Sequence, residues 1–426
     1  MRIGMFIPEF PTQTHVFFWR EIAALRGLGL DVSIVSTRRP KEPCPHEFAR
    51  EAAPLTHYVY PPALGPSARG MGHGRGVVRV AKYLSSLTAG SRGRALGYAV
   101  CAAHLADLAE RRGIDHLHVH SCADAAHVAA MAHLWSGLPY SLHLHGDLPV
   151  YGTDHAMKMR HASFIAAAAR PLQEQIISQI GVPRERVFRM IMGVDLSRLR
   201  LRARPTEEPG HAAGPLHLVS ISRLADCKGH RFALAAVRRA IDAGAELRYT
   251  IAGSGPDRVK IEAEVARLGL GEQVRFAGSL SEQGVAELLE AADVFVLTSV
   301  GMGEASPVAV MEAMATGVPA ICSRIGGTAD MVDSGVDGLL VAQEDVGGIT
   351  DALLTLHRDR AMIARLGAAA RRRAEREFDA TVLARQLVAT IETMRGTSPV
   401  GSCRHTSDIE RPDTIDATHS AGAPLL

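Results

Sequence analysis

Between Glu304 and Gly327 the chain reads EASPVAVMEAMATGVPAICSRIGG, a run that admits few structures. Ser306 is a good N-cap, Pro307 suits the first helical position, and Gly317 and Pro319 end a helix, so a helix is expected over Pro307–Thr316. The apolar segment Ala320–Ser323 then reads as a buried strand. The first-turn N–H groups of such a helix have no partners within it and their dipoles add, so its start suits a phosphate. Glu304 lies just before that start and Glu312 two turns on. One carboxylate can face a ligand beyond its phosphates while the other accepts hydrogen bonds from hydroxyls. Read alone, two glutamates at this spacing also fit an amphipathic helix with solvated acids.

At 426 residues and 47% hydrophobic, the chain is long enough for two domains with substantial cores. Its 47 basic and 45 acidic residues leave a net charge of +2, which gives no nucleic-acid signature and means that any charged partner is met locally. Cysteines 44, 101, 122, 227, 322 and 403 are scattered without a C-x-x-C pair, which fits a reduced, cytoplasmic compartment. MRIGMFIPEF lacks the apolar core and cleavage site of a signal peptide, and no run approaches the length of a membrane span.

In chain order, residues 2–7 read as a strand, 16–27 as a helix and Asp31–Ser36 as a second strand, a β-α-β opening. The loop Phe10–His15 between them lies at the carboxyl end of the first strand, where open α/β sheets hold ligands, so Thr14 is an acceptor-side candidate; a capped helix start is the plainer alternative. The segments DHLHVH (Asp115–His120) and SLHLHGD (Ser141–Asp147) hold five histidines. Alternation sets the first three on one side of a strand, but no carboxylate or cysteine closes the set at ligand spacing, so no metal is expected there. Residues 200–215, rich in Pro, Gly, Ala and charge, read as a linker. A strand at Leu216–Ser222 opens a second domain, whose connecting loop carries Arg223 and Lys228. Gly253 and Gly255 follow another strand, but Arg258 stands where the dinucleotide fingerprint needs a small residue, which argues against hydride transfer. Residues 396–426 are polar and without period, and read as a disordered tail.

The spacing E-x7-E, followed by A-M-A-T-G-V-P and the pair Gly326–Gly327, resembles the signature of the family 4 retaining glycosyltransferases of the GT-B fold. The resemblance implies two Rossmann-like, doubly wound parallel-sheet α/β domains facing a central cleft, here 1–199 and 216–378, with 379–395 crossing back to the first. It implies that Glu304 lies near the donor sugar, that Glu312 holds the nucleotide ribose, and that the backbone of Ala305, Ser306, Pro307 and Val308 meets the donor diphosphate. R-L-x-x-x-K-G from Arg223 resembles the motif whose arginine and lysine neutralise that diphosphate. Gly253 falls among the donor-side positions. His145, followed by Gly146 and Asp147, resembles the histidine that faces the donor sugar, with His120 and Asp147 as cleft-lining, acceptor-side candidates. Gly193-Val194-Asp195 resembles the G-V-D that closes the first domain, and Pro8–Gly29 resembles the opening of the branch that builds exopolysaccharides such as colanic acid, although Gln13, Thr14 and His15 depart from its usual loop.

Together these imply retaining transfer of a sugar from a nucleotide diphosphate sugar to a saccharide acceptor, in this branch a lipid-linked one. Arg223, Lys228 and the helix start would stabilise the leaving group, so no cofactor or metal is expected; the chain has no D-x-D pair. A sugar-nucleotide epimerase or phosphorylase, or a catalytically silent nucleotide-binding scaffold, are the alternatives. One further feature points to an anionic membrane surface: Ala52–Ala106 holds no Asp or Glu. Within it, Gly76–Thr88 reads as a helix with Val77, Val80, Ala81, Leu84 and Leu87 on one face and Arg75, Arg79, Lys82 and Ser86 on the other.

Overall fold

The computed structural model describes residues 1–12, 15–41, 44, 46–71, 75–201, 214–301 and 304–396. Thr14, most of the linker and the tail beyond 396 lie outside the described residues.

The apolar runs form two parallel sheets. The first contains β1 (Arg2–Glu9), β2 (Asp31–Arg38), β3 (Thr56–Tyr58), β4 (His116–Val119), β5 (Tyr140–Leu144), β6 (Ile165–Ala167) and β7 (Val187–Arg189), in the order β3-β2-β1-β4-β5-β6-β7. The second contains β8 (Leu216–Ile221), β9 (Leu247–Ala252), β10 (Val274–Gly278), β11 (Val294–Leu297), β12 (Ala320–Ser323) and β13 (Gly338–Val341), in the order β10-β9-β8-β11-β12-β13. Helices cover both faces of each, which is why β4, β5, β11 and β12 are buried at every residue and read as unbroken apolar or histidine-bearing runs. In both sheets the winding reverses beside the first strand, between β1 and β4 and between β8 and β11. The carboxyl ends of such strand pairs open a crevice in which ligands bind.

The helix Ala380–Gly396 returns to the first domain, where Ala384, Leu387 and Ile391 join the core that holds Ile3, Met5, Phe18 and Ile22. The chain segments joining the domains meet at Val194, whose N–H donates to the Phe378 carbonyl at 2.8 Å and whose carbonyl accepts from Ala380 N–H at 3.0 Å. A Cβ on Gly193 would lie 2.6 Å from Ala380 Cα, so this crossing needs the glycine of the G-V-D run.

Two expectations need correction. The helix after Glu304 spans Val308–Ala315, one residue shorter at each end, with Pro307 in extended backbone at the N-cap. Ser306 is buried and its hydroxyl points at Met331 Sδ, 3.8 Å away, so it does not cap the helix. The basic helix spans Arg75–Ser85. Its buried side is Gly76, Val80, Tyr83 and, just beyond it, Leu87, whereas Val77 and Ala81 face solvent with Arg79 and Lys82. Tyr83 decides this rotation, because its buried hydroxyl reaches His127 Nδ1 at 2.8 Å.

Candidate active site

The second crevice is built from the loops after β8 and β11. Lys228 closes a short 3-10 turn, Asp226–Lys228, and its Nζ pairs with Glu304 Oε1, which also accepts from Ser299 Oγ at 2.8 Å. Glu304 is buried, so its charge is held by these two donors. Arg223, at the end of β8, is exposed and its guanidinium has no partner among the described residues, which leaves it free for an anion. Gly253, at the end of β9, has φ +131° and lies against Ser222, where a Cβ would sit 1.9 Å from the carbonyl oxygen. It lets the β9 loop close on the Arg223 loop and has this structural duty whatever it binds.

The paired glycines have a related cause. Added Cβ atoms on Gly326 and Gly327 would lie 1.8 Å from Glu304 O and 2.0 Å from Ala305 O, and Gly327 N–H donates to Glu304 O at 3.1 Å. The segment after β12 is thus a floor under Glu304 and Ala305. Above that floor Ala305, Ser306 and Pro307 are buried, and Val308 starts the helix whose first-turn amides lack helical partners. The helix, the lysine and the exposed arginine converge on one crevice, an arrangement that can hold a diphosphate.

The first crevice holds the histidines. His120 follows β4, His145 follows β5, and His120 Nδ1 lies 3.1 Å from His145 Nε2. The His145 backbone N–H donates to the Tyr151 hydroxyl at 2.6 Å, which fixes the turn into Asp147. Burial, reinforced by neighbouring histidines, holds His118, His120 and His145 well below the ordinary histidine range, so all three are neutral at pH 7. Glu21, on the helix Val16–Gly27, lies beside them with its carboxyl pushed up to about 8 by burial. Asp147 is half-buried just before the 3-10 turn Leu148–Tyr151.

The two crevices face one another. Ala168 and Ala169, just past β6, pack against Ala305, and the Arg170 N–H donates to Asp330 Oδ2 at 2.7 Å. His145, just past the neighbouring strand β5, therefore lies on the side of the first sheet that meets the Glu304 loop. Sequence reasoning missed the strongest bridge. Arg20 donates to Glu282 at 2.9 and 3.0 Å and sets Nη1 2.8 Å from Glu312 Oε1. Glu312 is buried beneath it. Arg20 and Glu282 are 262 residues apart, and no local pattern links them.

The family model described as glycosyl transferases group 1 matches residues 204–373. The match covers the end of the linker and most of the second domain. WcaL of Escherichia coli K12, named for a glycosyltransferase role in colanic acid biosynthesis, is 31% identical over 51% of this chain and 54% of its own length. The amylovoran biosynthesis glycosyltransferase AmsK of Erwinia amylovora is 30% identical over 53% of this chain and 55% of its own. The chain thus spans about half the length of the curated relatives it matches. Among solved structures, Anabaena HepE in complex with UDP superposes with a TM-score of 0.71 at 18% identity, covering 92% of this chain and all of HepE. Sucrose-phosphate synthase of Thermosynechococcus elongatus superposes at 0.68, over 93% of this chain. These likenesses, with the two doubly wound sheets, make the fold GT-B, and the group 1 match falls on its carboxyl-terminal half. Arg223, Lys228, Gly253, Glu304, Glu312 and the start of Val308–Ala315 all lie within the matched residues; His120, His145 and Arg20 come from the other half.

Proposed function

We propose that this chain transfers a sugar, with retention at the anomeric carbon, from a nucleotide diphosphate sugar to a saccharide acceptor carried on a lipid, in exopolysaccharide synthesis. The observation that carries this reading is the convergence of Lys228, Glu304 and the first turn of Val308–Ala315 on one crevice, beside the exposed Arg223. The polysaccharide assignments of WcaL and AmsK support the pathway class.

In this reading the bond from the anomeric carbon to the diphosphate breaks, and the new bond forms to an acceptor hydroxyl whose proton passes to the departing diphosphate oxygen. Negative charge grows on the diphosphate as the bond lengthens. Arg223, Lys228 and the helix amides meet that charge where it develops, which lowers the barrier. No divalent metal on the diphosphate is then required. Lys228 exchanges Glu304 for phosphate oxygens when the donor enters, releasing the glutamate toward the sugar. Glu312 accepts from the ribose hydroxyls, and His145 faces the sugar from the opposite domain. Ala305 to Val308 supply the backbone that touches the diphosphate, Gly253 shapes the donor side, and Thr14 and Asp147 belong to the acceptor side, on which the buried His120 acts through His145.

A lipid-borne acceptor requires the cleft to approach a membrane, at the cytoplasmic face where nucleotide sugars are made available. Among the described residues no helix is long and apolar enough to cross one. The outer face of Arg75–Ser85, with Val77 and Val78 exposed beside Arg79 and Lys82, is the docking surface in this reading. The test is donor hydrolysis across a panel of nucleotide sugars, followed by NMR of the anomeric configuration in the transferred product. Retention is expected. Inversion would overturn the mechanism, and failure to turn over any donor would overturn the enzyme reading.

A further inference from the structure

We propose that His118, His120 and His143, with Glu21, form a zinc-binding site inside the first domain, separate from the crevice that takes the diphosphate. The placement follows from strand geometry. His118 lies on β4 and His120 just past its end, two residues on and so on the same face, and β5 pairs His118 with Ser141, which sets His143 beside His120 on that face. All three rings are buried, and their centroids are 4.8, 5.5 and 5.5 Å apart. One nitrogen from each lies within 4.8 Å of the other two.

The second observation concerns which nitrogens are free. His118 Nε2, His120 Nε2 and His143 Nδ1 are buried without a hydrogen-bond partner, while the other nitrogen of each ring is engaged. His143 Nε2 lies 2.9 Å from the Met190 carbonyl, an acceptor only, so Nε2 carries the hydrogen and Nδ1 presents a lone pair. His118 Nδ1 lies 2.8 Å from Ser141 Oγ, and the same hydroxyl lies 2.8 Å from His116 Nε2. A metal on His118 Nε2 puts the hydrogen on Nδ1, so Ser141 accepts from His118 and donates to His116 Nε2. A metal on His120 Nε2 likewise makes Nδ1 a donor to His145 Nε2. Buried imidazoles each held by one partner and open at the other nitrogen are what a metal shell requires.

Sequence spacing offers no fourth ligand; the fold brings Glu21 beside His120, just outside the group of three histidine nitrogens. The helix Val16–Gly27 sets Glu21 Oε2 3.3 Å from His120 Nε2, without hydrogen-bond alignment. Two ligand atoms each about 2.0–2.1 Å from a tetrahedral metal stand roughly 3.3 Å apart, so this pair already has the required separation. The three imidazole nitrogens, within 4.8 Å of one another, would draw in to that separation around a bound ion, and Glu21 and His143 line one small cavity beside them. Three imidazoles and one carboxylate select zinc over magnesium or calcium, which need oxygen shells. The bound ion would tie the first helix to β4 and β5 and fix His145 as an acceptor at Nε2, leaving Nδ1–H as a donor.

The full chain, prepared without added metal, should carry close to one zinc per molecule by mass spectrometry. After stripping with a strong chelator it should take up one cobalt, giving the intense visible bands of a tetrahedral nitrogen-oxygen site. His143→Asn and His118→Asn should each weaken zinc binding by about 100-fold or more in competition with a chromophoric chelator. Ser141→Ala should weaken it about 10- to 100-fold, as expected for loss of a partner that orients a ligand. Circular dichroism reports whether each variant folds, and the wild-type metal content stands even if one does not. Absence of stoichiometric zinc or cobalt from the wild-type chain, or unchanged affinity in the folded variants, would overturn the proposal. These readouts use no nucleotide, so they stand apart from the glycosyl-transfer reading.

Discussion

Arg20 of the first domain lies 2.8 Å from Glu312 of the second, and both side chains are largely withdrawn from water. The carboxylate proposed to hold the ribose is therefore engaged by a cation from across the cleft. A nucleotide has to share or displace that contact, which couples its binding to how the domains sit. Glu312→Ala should weaken binding of a free nucleotide diphosphate by about 1.5–3 kcal/mol, the range for hydrogen bonds to a charged group. Arg20→Ala should act oppositely, tightening binding by up to about 1 kcal/mol, because it leaves a buried carboxylate whose cost the ligand relieves. Calorimetry on both variants checks this, and equal weakening would show that Arg20 itself binds the nucleotide.

Lys228→Ala and Arg223→Ala should each reduce turnover by about 100-fold or more, the scale for removing one preorganised donor from developing charge. Both should fold, since Arg223 is exposed and Lys228 is only part-buried. Glu304→Ala should act on turnover with little effect on free nucleotide affinity. Near wild-type kinetics in either cation variant would remove the leaving-group role.

Turnover should not rise when magnesium or manganese is added to chelator-treated enzyme, because the diphosphate charge is met by side chains and amides. An activity restored by either hard cation would contradict this. Zinc on the buried histidines is a separate matter, read by metal content.

Acid should destabilise the first domain. Burial lowers His127 and His155 from 6.5 to about 4. Above pH 6.5 these side chains are neutral folded or unfolded, and the stability is fully present. As pH falls from about 6.5 to about 4 the unfolded chain takes up protons that the folded one refuses, so stability declines through that window and levels off below it. Melting temperatures across this range test the sign, and His127→Gln should flatten the slope.

Liposomes of anionic composition should float the protein at low salt, whereas neutral liposomes should not. Each nearby Lys or Arg contributes about 1 kcal/mol at such a surface and is screened by salt. Charge reversal at Arg75, Arg79 and Lys82 together should abolish flotation and spare donor hydrolysis, and Val78→Asp should weaken flotation, since Val78 is 75% exposed. Flotation unchanged in the triple variant would reduce this helix to a structural part of the domain.

The sequence by itself determined the elements and their chemistry, because these depend on neighbours in the chain. Apolar runs became the strands, the helix Val16–Gly27 follows its period, and the glutamates, the Arg223–Lys228 loop and the G-V-D crossing were readable as local motifs. Two local readings slipped where a distant partner outweighed propensity. Ser306 turned from capping toward Met331, and the basic helix rotated so that Tyr83 could reach His127. What only the tertiary structure decided were relations across long separations. Arg20 meets Glu282 and Glu312, Gly326 and Gly327 lie under Glu304 and Ala305, and Glu21 comes to His120 from another element. Spacing along the chain carries no trace of these, since they arise only when two doubly wound sheets stack their crevices face to face and a helix is laid over the histidine strands.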